Sequence, residues 1–112
     1  MHGFHDPEKK QKYYTQLKEA KGDYIEAYEN FSRTVFRDDV LSTKQKELIA
    51  CAIATSKRCI WCLESHLPKA KKAGATKEEI IEAVMVSSIF DGGPAIATTM
   101  LEIMPLLEEL FN

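Results

Sequence analysis

Four residues of this 112-residue chain have the types and spacing to carry chemistry: Glu47, Cys59, Cys62 and His66. The two cysteines are one helical turn apart, and His66 follows Cys62 by a further turn. Only a thiolate attacks, so a dithiol site needs a group to take the thiol proton or a field that lowers its pKa from about 8.5. On a helix, Cys62 and His66 share a face, which lets the imidazole accept the Cys62 proton directly or through water. The positive end of the same helix favours a thiolate in its first turn. Cys62 is therefore the expected attacking thiol, and Cys59 its resolving partner in a disulfide.

Glu47 precedes Cys59 by twelve residues and belongs to another helix. A carboxylate beside apolar neighbours is suited to proton exchange, which fits a relay with Cys59, Cys62 and His66. Its place in the first turn of a helix, where acid is favoured, accounts for it equally well.

A second reading has Cys59, Cys62 and His66 bind zinc, with Glu47 or a partner group as fourth ligand. Structural zinc sites usually draw on a second close pair, and the sequence has none. A third reading is a helical oligomerisation module whose cysteine pair is inert and buried. Cys51, inside an apolar run, is expected in the core. His2 and His5, near the N-terminus, are expected to be solvated. Trp61, between the cysteines, either shields the disulfide or packs between subunits.

The elements that must position these groups are helices. Asp6-Pro7-Glu8 is a helix start, and Tyr13, Tyr14, Leu17 and Ala20 recur at helical spacing until Gly22. Asp23 is placed to cap a second helix whose Tyr24, Tyr28 and Phe31 form an aromatic face for core or subunit contact, with Val35 and Phe36 continuing the packing. Ser42-Thr43-Lys44-Gln45 is a capping box opening a third helix from Thr43 to about Ser56. From Leu48 to Ala54 that helix is apolar almost all round, so it is expected to be central. The fourth helix should run from Ile60 to Lys72, kinked at Pro68, and end at Gly74. Thr76-Lys77-Glu78-Glu79 caps a fifth, expected to carry Ile80, Val84, Ile89 and Phe90. Asp91-Gly92-Gly93-Pro94 is a turn, after which Ala95 to Phe111 forms a sixth helix bent or broken at Pro105. No strand pattern is present, so the fold class is all-α with about six helices. The chain reads as a single domain over 1–112, with its core at about 40–104 and N-terminal helices over 7–36. Such an apolar last helix on so small a chain implies subunit association.

Fifteen Lys and Arg against 17 Asp and Glu leave no basic footprint for nucleic acid. No apolar run approaches the roughly 18 residues of a membrane span, and Met1 to Pro7 lacks the regions of a signal peptide. A cytoplasmic protein is expected, in a reducing compartment where a close cysteine pair points to redox chemistry or metal.

Glu47, Cys59, Cys62 and His66 in helical sequence, followed by Gly74-Ala75-Thr76-Lys77-Glu78-Glu79-Ile80, resemble the alkylhydroperoxidase D-like (AhpD-like) branch of the carboxymuconolactone decarboxylase superfamily. The likeness covers roughly residues 40–104. It implies a helical domain assembled as trimers or hexamers, with a disulfide-cycling site near subunit contacts and no bound cofactor. It also implies a proton relay of Glu47, Cys59, Cys62 and His66, peroxidase activity, and a dithiol electron donor such as a lipoyl-bearing protein, with a peroxiredoxin as acceptor. The best-known members are longer and carry a histidine between the cysteines, where this chain has Ile60-Trp61. A decarboxylase-like lyase is the remaining reading of the superfamily. It has no need of a thiol pair, and no obvious cluster of cations is present to hold two carboxylates.

Overall fold

A computed structural model of the chain describes residues 5–112. Among the described residues the secondary structure is entirely helical. The capping box foreseen at Ser42 forms: its hydroxyl accepts from the Gln45 N–H, and the Gln45 side chain accepts from the Ser42 N–H. Helix α3 (Thr43–Ser56) starts there and becomes the hub, packing against α4 (Ile60–Lys72) and α5 (Lys77–Met85). Glu47, Cys51, Ala54 and Thr55 fall on one face of α3 and are buried. Across from them Leu63 and Leu67 of α4, and Ile80 and Val84 of α5, are fully buried. Each such aliphatic side chain contributes about 2 kcal/mol by leaving water. The far side of α3 is open: Ile49 and Ile53 remain about half exposed.

Helix α4 passes through Pro68 without ending, and Leu67 and Ala70 on either side are fully buried. The capping box at Thr76 also forms and opens α5. That helix stops at Met85, sooner than its apolar pattern suggests. Ile89 and Phe90, expected on it, lie on a separate turn, α6 (Ser88–Asp91), and are exposed. Main-chain bonds of the tighter kind, from Val86 to Ala83 and Ser87 to Val84, close α5.

The last helix starts at Gly93, earlier than expected, as α7 (Gly93–Thr98). It continues through a π-helical stretch (Thr99–Ile103) into α8 (Met104–Leu110). The anticipated interruption near Pro105 thus takes the form of a π-turn just before it. Pro105 has no N–H for the Leu101 carbonyl and its ring crowds it, and a wider turn relieves both. The Thr99 hydroxyl, which donates to the Ala95 carbonyl at 2.9 Å, acts in the same direction.

The N-terminal helices α1 (Pro7–Ala20) and α2 (Gly22–Phe36) pack on each other and bury no residue. The Tyr14 hydroxyl and Lys18 Nζ converge on the Glu29 carboxylate to join them. Their aromatic face does not enter the core of the chain: Tyr24, Tyr28 and Phe31 are about two-thirds exposed. The break between them is carried by Lys21, which stands at the N-cap of α2. Asp23 sits inside the first turn, so it is not the cap.

Candidate active site

The cysteine pair lies where α3 hands over to α4. The last turn of α3 closes with Arg58 N–H bonded to the Thr55 carbonyl at 3.1 Å and Cys59 N–H to the Ala54 carbonyl at 2.9 Å. This is the paired terminal motif that needs a left-handed residue in the penultimate place, usually glycine. Arg58 holds that place at φ 52°. Cys59 then opens α4 as its N-cap: its sulfur accepts from the Cys62 N–H at 3.2 Å, and its carbonyl accepts from the Leu63 N–H at 3.0 Å. One residue thus ends one helix and starts the next. Cys59 and Cys62 are joined as a disulfide, with Cα atoms 5.2 Å apart.

His66, one turn beyond Cys62, is held from two sides. Its Nδ1 lies 2.6 Å from Glu47 Oε1 on α3. The Phe36 ring, at the end of α2, stacks on the imidazole with centroids 5.1 Å apart. Phe36 is itself pinned, because the Thr43 hydroxyl donates to its carbonyl at 2.6 Å and Lys46 Nζ to the Arg37 carbonyl at 2.7 Å. The Glu47 side chain is 5% exposed and that of His66 21%. A carboxylate only accepts, so opposite one a neutral imidazole donates from Nδ1 and presents Nε2 as its acceptor.

A cleft of about 380 Å³ opens between α2, α3 and α4. Cys62 and His66 lie in its wall with Phe36, Ile49 and Ile53, and Lys46 lends it a cationic side chain. Of the four residues singled out by spacing, Glu47 and His66 are hydrogen-bonded, Cys59 and Cys62 are covalently joined, and Cys62 and His66 share the cleft. Two activating influences therefore fall on different sulfurs: the imidazole near Cys62, and the main-chain amide of the helix start on Cys59.

The carboxymuconolactone decarboxylase family model matches residues 22–104, three-quarters of the chain. The chain belongs to this family. Among its relatives is uncharacterized protein 4 in the cox locus of Paracoccus denitrificans, 40% identical over 72 residues, which are 64% of this chain and 65% of that protein. The chain therefore spans somewhat under two thirds of that relative's length. An uncharacterized protein of Cupriavidus necator is 31% identical over 78 residues, 70% of this chain and 69% of its own. The crystal structure of an apo carboxymuconolactone decarboxylase family protein from Legionella pneumophila superposes with a TM-score of 0.87 at 25% identity, covering 94% of this chain and 93% of that one.

Within this family fold, several contributors at the site carry little signal in the sequence. Phe36 reads as ordinary packing, and nothing marks it as the ring against His66. Arg58 is invisible as a left-handed residue, because glycine is the usual sign. Cys51 is buried as expected. Burial, reinforced by the nearby Glu47 charge, pushes its thiol up to about 12, so it stays protonated. His5 is exposed, as expected, and in addition its main-chain N–H and its ring Nδ1 both bond to Glu64 Oε2 and its ring lies on Trp61. His2 lies outside the described residues. No helix among the described residues is long and apolar enough to cross a membrane.

Proposed function

We propose that the chain is a thiol-disulfide oxidoreductase of the AhpD-like branch, cycling the Cys59–Cys62 disulfide with Glu47 and His66 as its proton relay. The observation that carries this reading is the part-buried Glu47–His66 contact at 2.6 Å, whose imidazole shares a cleft with Cys62. In the reduced chain His66 Nε2 takes the Cys62 proton, and Glu47 holds the resulting imidazolium. The Cys62 thiolate attacks an oxidised disulfide, displacing one thiolate and forming a mixed disulfide. Cys59 then attacks the Cys62 sulfur, releasing the second thiol and closing the internal disulfide. With a hydroperoxide, Cys62 takes the distal oxygen as sulfenic acid and an alcohol leaves. Cys59 then condenses with it and water is lost. A dithiol donor, such as a lipoyl-bearing protein, returns two electrons and two protons. A peroxiredoxin is the proposed acceptor, and no bound cofactor is needed.

A zinc site would need Cys59, Cys62 and His66 to converge on one point. The two sulfurs are instead bonded to each other, and among the described residues no group of three such side chains is placed to hold an ion. The exposed apolar side chains Ile49, Ile53, Ile89, Phe90 and Leu101, with the aromatic face of α2, support assembly into trimers or hexamers.

The deciding experiment is native mass spectrometry with thiol alkylation, on protein treated with oxidant and then with dihydrolipoamide. A Cys59–Cys62 disulfide that forms and is reversed, with Cys51 free throughout, is the expected result; the same spectrum gives the oligomer. A pair that resists oxidation while the native mass carries stoichiometric zinc would overturn the reading.

A further inference from the structure

The Trp61 side of α4 carries a second carboxylate–imidazole pair, which the dithiol chemistry does not use. The Glu64 side chain is 0% exposed. Its Oε2 accepts from the His5 main-chain N–H at 3.0 Å and also bonds His5 Nδ1. Lys10 Nζ stands 3.6 Å from Oε1, and among the described residues Oε1 has no hydrogen-bond donor. The His5 ring lies on the Trp61 indole with centroids 3.9 Å apart and planes 24° from parallel.

A carboxylate out of water is costly unless it is paired, so Glu64 needs a docked partner. Its partners are His5, 59 positions away and preceding α1, and Lys10 within α1. Trp61 and Glu64 are three apart and lie along one side of α4. Trp61 also stands between the two cysteines in sequence, so whatever holds its ring borders the disulfide. The Cys62–His66 cleft is lined from α2, α3 and α4, without His5, Trp61 or Glu64. The Cys62 side of the dithiol opens on that cleft, and on the other side the His5 ring covers one face of Trp61.

We propose that His5, held by Glu64, is a strap across the Trp61 side of the dithiol, and that these two residues thereby determine which reductants the disulfide accepts. This rests on the dithiol reading above. A small dithiol reaches the sulfurs through the cleft with the strap in place. A folded dithiol protein, which must lay a surface across the pair, reaches them only when His5 lifts from Trp61. With either reductant a thiolate attacks one protein sulfur, the Cys59–Cys62 bond breaks, and a mixed disulfide forms. The second thiol of the reductant resolves it, leaving two protein thiols and an oxidised reductant.

The test uses the full oxidised chain as wild type, His5→Ala and Glu64→Leu, reduced either by dithiothreitol or by reduced thioredoxin. His5→Ala removes the stacked ring at a partly exposed position. Glu64→Leu removes the anchor and leaves an apolar side chain in the buried space, so the two variants do not share one route to misfolding. Trp61 is the sole tryptophan, and its emission reports whether the strap is docked. The expected result is altered Trp61 emission in both variants and a rise of about tenfold in the thioredoxin rate, with the dithiothreitol rate within about twofold of wild type, as for a strap open about a tenth of the time. A thioredoxin-to-dithiothreitol ratio that stays at the wild-type value while the emission changes would overturn the specificity role. Unchanged emission in both variants would overturn the strap itself. A wild-type disulfide that neither reagent reduces would instead defeat the dithiol reading, and this inference with it, whatever the emission shows.

Discussion

Replacing Glu47 with Gln separates a relay carboxylate from a merely structural one. The side chain keeps its shape and one hydrogen bond to His66 Nδ1, but loses the charge 2.6 Å from the ring. A hydrogen bond to a charged group contributes about 1.5–3 kcal/mol against about 0.5–1.5 for a neutral one, so the imidazolium loses roughly 1–1.5 kcal/mol of support. If His66 must become imidazolium for Cys62 to become thiolate, that loss appears as a thiol reaction about 5- to 12-fold slower at neutral pH. Stability should change by less than about 1 kcal/mol, because no buried group is orphaned. The assay is stopped-flow reaction of the reduced protein with 4,4′-dithiodipyridine, beside urea denaturation of the same samples. Cys51 is buried with its thiol pushed up, so it should not contribute to the fast phase. Full-speed thiol reaction in Glu47→Gln would remove Glu47 from the mechanism. A slow reaction accompanied by a loss of several kcal/mol would make the carboxylate structural.

Further outcomes follow from the same geometry. The Cys51 thiol is raised from 9.0 to about 12, so above pH 9 the unfolded chain releases this proton and the folded chain keeps it. Stability from this site is fully present below pH 9 and falls as pH rises towards 12, by up to about 1.4 kcal/mol per pH unit; a denaturation series should show a shallower fall for Cys51→Ala. Arg58→Gly should raise stability by about 1 kcal/mol, since glycine adopts φ 52° without strain, and a lowered urea midpoint would contradict that. Leu67→Ala, at a fully buried position beside Pro68, should cost about 2–5 kcal/mol by the same measurement.

The helix starts were legible because capping boxes are local: Ser42 with Gln45 and Thr76 with Glu79 each satisfy main-chain donors within four residues. The pairing of Glu47 with His66 was not fixed by local spacing, because it depends on how α3 packs against α4; the family resemblance, not the spacing, put both in one relay. Apolar periodicity also overstated α5. Ile89 and Phe90 continue its pattern in the sequence, but the turn after Met85 places them on the surface, where apolar residues can serve an interface as well as a core. The contacts of His5 were missed for a related reason. Its neighbours in sequence are polar and near a terminus, and nothing local indicates a buried carboxylate 59 residues away.

The junction at Cys59 bears on how far the fold feels the redox state. The Cys59 main chain is committed on both sides, its N–H to the Ala54 carbonyl and its carbonyl to the Leu63 N–H, and neither bond involves sulfur. Reduction therefore frees two thiols without freeing the backbone that holds them. The disulfide links residues three apart. Loop-closure entropy for a ring of about four residues amounts to about 2 kcal/mol, and helix already formed across the pair would lower it. For a chain of this size 2 kcal/mol is a shift of roughly 8 °C in Tm, so the reduced protein should melt no more than about that far below the oxidised one. Thermal denaturation followed by far-UV circular dichroism, with and without dithiothreitol, reads this directly. A drop of about 20 °C or more would mean that the disulfide holds the α3–α4 junction together, and the pair would then belong to the scaffold more than to a redox cycle.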